Sequence, residues 1–137
     1  MKKDNLNLFS KLFFAALITA AITSFTKHGS KNNENPGIVW NETTHDFKNI
    51  LMGKDAVFVF TCKNKSKKTM TILKVEPGCS CTFSEFTSEP IKHNKKGSVT
   101  ATYKTKNRQG FFKKFIKVTF ADSTSDDLVI TGTVVTE

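Results

Sequence analysis

Residues 38–137 read as an all-β domain: an immunoglobulin-like, two-sheet antiparallel sandwich of about seven strands. Three observations predict it. Apolar residues recur at every second position in segment after segment. Those segments are rich in Val, Ile, Phe and Thr, which suit a pleated, half-buried surface. Turn signals separate them roughly every 8–12 residues. No window of helical length after Thr26 carries a 3.6-residue apolar period. About 100 residues make one domain and are too few for two.

The chain opens with an export signal over residues 1–24, a signal peptide or, if uncleaved, an N-terminal anchor. Lys2, Lys3 and Lys11 supply a basic start, and Leu12–Ile22 is apolar. That run is shorter than the about 20 residues of a membrane span. Small residues near Ala21 and Ser24 offer cleavage, and no cysteine follows that would mark a lipoprotein. Residues 25–37 read as a disordered tether, because Gly29–Pro36 holds no apolar side chain to offset its ordering entropy. The domain is therefore expected in the periplasm or at the cell surface.

The first strand is expected within Ile38–Phe47. Ala56–Cys62 alternates next. The polar turn Asn64–Lys68 leads to Met70–Val75, and a short strand follows over Cys81–Phe86. Ser98–Thr105, Lys114–Phe120 and Leu128–Val135 complete the set. Trp40 precedes all three cysteines, so the Cys…Trp…Cys arrangement of antibody domains is absent. The core is expected to rest on Phe47, Phe58, Phe60, Tyr103, Phe115 and Phe120, with Ile72, Val75, Val118 and Ile130. A buried aromatic removes about 150–250 Å² from water.

Cys79 and Cys81 form the candidate thiol pair, one residue apart after the Pro77-Gly78 turn signal. In a regular strand their Cα atoms would lie about 6.6–7 Å apart, at the limit for a disulfide. Two half-buried thiols at a strand end is the plain reading. The alternatives are a Cys79–Cys81 disulfide across a bent backbone, pairing of one with Cys62, and a soft-metal site. Thiolates with His93 or Met70 would suit Cu(I), whereas structural zinc wants four ligands at wider spacing. The Cys-x-x-Cys of dithiol oxidoreductases is absent.

No catalytic residue, cofactor or metal is expected. His28 lies in the tether, His45 in the first strand and His93 in a lysine-rich turn. Glu85 and Glu89 flank a phenylalanine. Asp122, Asp126 and Asp127 read as turn formers. No glycine loop cradles a phosphate. The net charge is +9. Most of it comes from the groups Lys63–Lys68, Lys92–Lys96, Lys104–Arg108 and Lys113–Lys117. An exported chain rarely meets nucleic acid, so these read as a solvated surface that guards sheet edges. Beyond that they offer attraction to anionic lipid, glycan or an envelope protein.

Several stretches resemble one family. Asp46-Phe47-Lys48-Asn49-Ile50 with Gly53 is similar to D-F-G-x-I-x-x-G. Phe58-Val59-Phe60 with Asn64 resembles F-x-F…N-x-G. Ile72–Val75 with Cys79-Ser80-Cys81-Thr82 resembles I-x-x-V…C-G-C-T. Ile91, Gly97, Tyr103, Gly110, Lys114–Val118 and Ile130–Val134 resemble the remaining elements. This is the pattern of the bacterial domain of unknown function (DUF) 1573 family, secreted Ig-like domains akin to ASH/Hydin/MSP sandwiches. Lys48, Ser66 and Ser80 stand where that family usually has glycine. Ser80 disfavours positive φ between the cysteines, which argues against a tightly bent disulfide. The expected role is a secreted cell-envelope module that binds or scaffolds an envelope protein or glycan. The alternative is thiol redox exchange or Cu(I) binding through Cys79 and Cys81.

Overall fold

The computed structural model describes residues 37–136. The signal or anchor at 1–24, His28 and all of the tether but Gly37 lie outside the described residues. Eight strands form two four-stranded sheets. β1 (Ile38–Trp40), β3 (Ala56–Asn64), β6 (Lys96–Tyr103) and β5 (Thr82–Phe86) make the first, in the order β1-β3-β6-β5. β2 (Thr44–Leu51), β8 (Ser125–Val135), β7 (Gly110–Phe120) and β4 (Ile72–Pro77) make the second, in the order β2-β8-β7-β4. The fold is thus the expected Ig-like sandwich.

The expected first strand is in fact two, one in each sheet. β1 pairs antiparallel with β3, and β2 pairs parallel with β8. The sandwich is therefore not antiparallel throughout. Asn41 holds the crossing: its N–H donates to Thr61 O, and its Oδ1 accepts the Thr61 N–H at 2.8 Å. Trp40 Nε1 donates to Asp126 Oδ2 at 2.8 Å and ties the two sheets together. Asp126 and Asp127 belong to β8 rather than to a turn, whereas Asp122 does form the turn and accepts the Thr124 N–H.

The core lies between the sheets. Phe60, Phe120, Tyr103, Ile72, Val118 and Ile130 are buried as expected. Phe47, Phe58 and Val75 are only half-buried and pack against the core rim. Phe115 corrects the expectation: it is 54% exposed. The reason is parity. Phe112, Ile116, Val118 and Phe120 occupy alternate positions of β7 and all point inward. Phe115 has the opposite parity and shares the outer face with Lys113 and Lys117. Phe112 takes the core place instead, its ring stacked 4.0 Å from that of Tyr103. Gly132 makes room for it, since a Cβ there would lie 2.9 Å from the Phe112 ring.

Candidate functional site

Cys79 and Cys81 form a disulfide, and Cys62 is a free, buried thiol. The plain reading of two thiols and the pairing with Cys62 are both overturned. The Cα atoms stand 5.3 Å apart, inside the bridging range, because the chain bends between β4 and β5 instead of running straight. Ser80 does not obstruct the bend, since it is not among the residues at positive φ. Lys48 is: the bulge in β2 holds it at φ 58°, one of the positions where the family usually has glycine. Burial pushes the Cys62 thiol above its ordinary pKa.

The disulfide staples the turn that carries the chain from one sheet to the other. Three backbone bonds fix the same turn. Gly78 N–H donates to Phe115 O at 2.9 Å, Thr82 N–H to Cys79 O at 3.2 Å, and Lys104 N–H to Cys81 O at 3.0 Å. Cys81 is 8% exposed within the core cluster, and Cys79 packs against that cluster. Neither described histidine bonds to them. His45 stacks on Phe58 in β2, with ring centroids 3.6 Å apart. His93 lies in the loop beyond the other end of β5, with Nδ1 2.6 Å from Ser66 O. Among the described residues no group of three or more His, Cys, Asp or Glu is arranged to hold a metal.

The turn delivers the chain into β5, a sheet edge. Among the described residues β5 pairs with β6 alone, from Thr82↔Tyr103 to Phe86↔Val99. The bonds Lys104 N–H to Cys81 O and Thr87 N–H to Ser98 O set the phase of the ladder. Antiparallel pairs alternate, so Phe83 and Glu85 bond to β6 while Ser84 and Phe86 turn their N–H and C=O outward. Phe83 is 55% exposed and continues a row on the outer face with Thr102 and Val57. Phe86 is 37% exposed. Ser84 Oγ is buried with no hydrogen-bond partner.

The other three edges are blunted. β1 is three residues long. β2 is bulged at Lys48, whose N–H and Nζ both bond the Asp46 carboxylate, and these bonds hold the Asp46 pKa below its ordinary value. β4 has a register irregularity between Ile72 and Lys74, and ends in Pro77. Short length, bulges, lysine and proline are the usual devices against strand pairing. β5, five residues long, has no bulge, lysine or proline. The stretch from Gly78 to Pro90 contains no lysine or arginine and carries Glu85 and Glu89. Sequence reasoning placed this strand but missed its edge position. The lysine-free stretch in so basic a chain was the available signal.

The match to the DUF1573 model, a protein of unknown function, spans residues 38–134. The chain belongs to the DUF1573 family. No curated protein matches the sequence. Three solved structures share the fold at low identity. A protein of unknown function from Porphyromonas gingivalis is 8% identical with TM-score 0.64, over 77% of this chain and 50% of that one. The ASH/PapD-like domain 7 of human CEP192 is 10% identical with TM-score 0.58, over 76% and 90%. A mutant of the SrpA adhesin from Streptococcus sanguinis is 10% identical with TM-score 0.53, over 76% and 61%. This DUF1573 chain thus spans half the length of the P. gingivalis protein. At such identities these likenesses speak to architecture alone.

Proposed function

We propose that this DUF1573 protein is an exported, non-enzymatic binding module of the cell envelope. It captures an extended segment of an envelope protein by strand addition along β5. The observation that carries this reading is the unguarded edge: a strand without a bulge, with outward N–H and C=O groups at Ser84 and Phe86, beside three blunted edges. In strand addition the backbone groups supply affinity and alternate side chains supply specificity. Phe83 and Phe86 offer apolar contacts on the two faces of the strand, and Glu85 and Glu89 favour a segment that is neutral or basic. A protein partner suits this edge better than a glycan, because the groups on offer are those of a β ladder. The disulfide serves as a staple that positions β5; in that form neither sulfur is a thiolate for exchange or for Cu(I).

Two experiments test the reading. N-terminal sequencing of fractionated protein should find it outside the cytoplasm, cleaved between about Ala21 and Ser24; an intact Met1 in a soluble cytoplasmic pool refutes export. Ser84→Pro removes an outward N–H and no ladder bond. It should keep the fold and abolish partner retention from a native envelope extract. Retention equal to wild type refutes docking along β5.

A further inference from the structure

The lysines are not spread evenly, and their largest group is assembled by the fold rather than by the sequence. Lys63 lies at the end of β3 and pairs across the sheet with Lys96, the first residue of β6; Lys65, Lys67 and Lys68 lie in the loop after β3, and Lys92 and Lys95 in the loop before β6. Twenty-three residues separate Lys68 from Lys92 in the sequence, yet the two loops are locked together. Met70 and Ile91 exchange two backbone bonds, of 3.0 and 2.7 Å. Asn64 N–H donates to Lys95 O, and Asn94 N–H to Asn64 O. The Asn64 side chain, fully buried, completes the clamp. Its Nδ2 donates to Lys68 O and Ile91 O, both at 2.7 Å, and its Oδ1 accepts from Ser66 N–H and Oγ.

All seven lysines except Lys63 are exposed, and Lys63 is half-buried. Among the described residues the ion pairs lie elsewhere, at His45–Glu42, Lys48–Asp46, Lys74–Glu76 and Lys104–Asp55. Seven cations with no ion pair among the described residues, on loops locked together by hydrogen bonds, repel one another. An opposing anionic surface would relieve that repulsion. The chain also enters the domain at this end: Gly37 O accepts the N–H groups of Lys65 and Ser66. The polypeptide that leads here from the apolar Leu12–Ile22 run is a stretch of polar composition. A lysine-rich platform at the point where the chain arrives from an export or anchor segment suits an extended partner of negative charge.

We propose that this end of the domain, the loops bearing Lys63–Lys68 and Lys92–Lys96, docks on an anionic phospholipid surface. The lysines act as point charges against headgroup phosphates. Each lysine within a Debye length of such a surface contributes about fivefold to binding. With this end on the membrane, β5 runs from the platform loop to the stapled turn and stands clear of the lipid for a partner.

The test uses the full-length chain with vesicles of phosphatidylcholine alone and with about 30% phosphatidylglycerol, at about 0.1 M salt. Wild type, a platform variant (Lys65, Lys67, Lys92 and Lys95 each →Gln) and a control variant (Lys54, Lys106, Lys113 and Lys117 each →Gln) are compared. All three carry the same N-terminal apolar segment, so its own lipid affinity cancels, and thermal melts establish that each is folded. Binding of wild type should rise with phosphatidylglycerol. The platform variant should lose at least about tenfold of that gain, and the control less than about threefold. Equal losses in the two variants would reduce the effect to net charge and overturn the proposal. So would binding indifferent to phosphatidylglycerol, or a preference of wild type for a soluble polyanionic glycan over the anionic vesicles.

Discussion

Strands β2 and β5 are both sheet edges, at opposite margins of the sandwich, and they solve the same problem differently. β2 is bulged, holds Lys48 at positive φ, and folds that lysine onto Asp46. Those features disrupt any regular ladder an incoming strand could extend. β5 is regular and lysine-free, carries one phenylalanine on each face, and a disulfide pins its start. An edge left unguarded beside three guarded ones is a candidate contact surface, because exposed ladder groups otherwise invite aggregation. The comparison also assigns the cysteines a structural part: they hold the strand proposed to make the contact.

The largest effect should come from the core beneath both edges. Phe60→Ala should cost about 3–5 kcal/mol, a large share of the about 5–15 kcal/mol of a domain this size. Phe115→Ala, on the outer face, should cost about 0.5 kcal/mol or less. Equal denaturation midpoints and slopes for the two would refute the parity that puts β7's alternate residues inward. The double change Cys79→Ser and Cys81→Ser ranks next. The closed loop is very short, so the staple is worth only about 1–2 kcal/mol. Its local signature sharpens the comparison: amide exchange should quicken in β5 and stay unchanged in β2. Uniform quickening would mean that the disulfide supports the whole domain and not that edge.

Two smaller changes probe the edges themselves. Ser84→Ala removes a buried, unpartnered hydroxyl and should raise stability by about 1 kcal/mol. Lys48→Gly relieves a left-handed residue and gives up only an exposed ion pair, so it should gain about 0.5–1 kcal/mol. Chemical denaturation reads both. A loss at Ser84 would reveal a hydrogen bond that the fold uses, and a loss at Lys48 would show that the Asp46 contacts outweigh the strain.

Much of this was legible in the sequence, because period-two alternation over Ala56–Cys62, Ser98–Thr105 and Leu128–Val135 reports directly on a half-buried sheet. Phe115 was misplaced because aromatic content was read before strand parity, which three neighbours of like phase decide. The crossing at Asn41–Thr43 was hidden because a bend of three polar residues inside an extended segment has no strong local signal. The disulfide was disfavoured because the estimate assumed a straight strand, whereas the bond depends on a turn between sheets. The edge position of β5 and the convergence of the lysine loops depend on strand order, which alternation does not encode.

The most direct test of the account places a photo-reactive residue at position 83 on β5, or at position 111 on the outer face of β7, and irradiates intact cells. Phe111 is more exposed than Phe83, at 72% against 55%, so exposure alone would favour a contact there. The account predicts a discrete protein adduct from position 83 that disappears in the Ser84→Pro background, and none from position 111. An adduct from position 111 alone, or one from position 83 that survives Ser84→Pro, would contradict it.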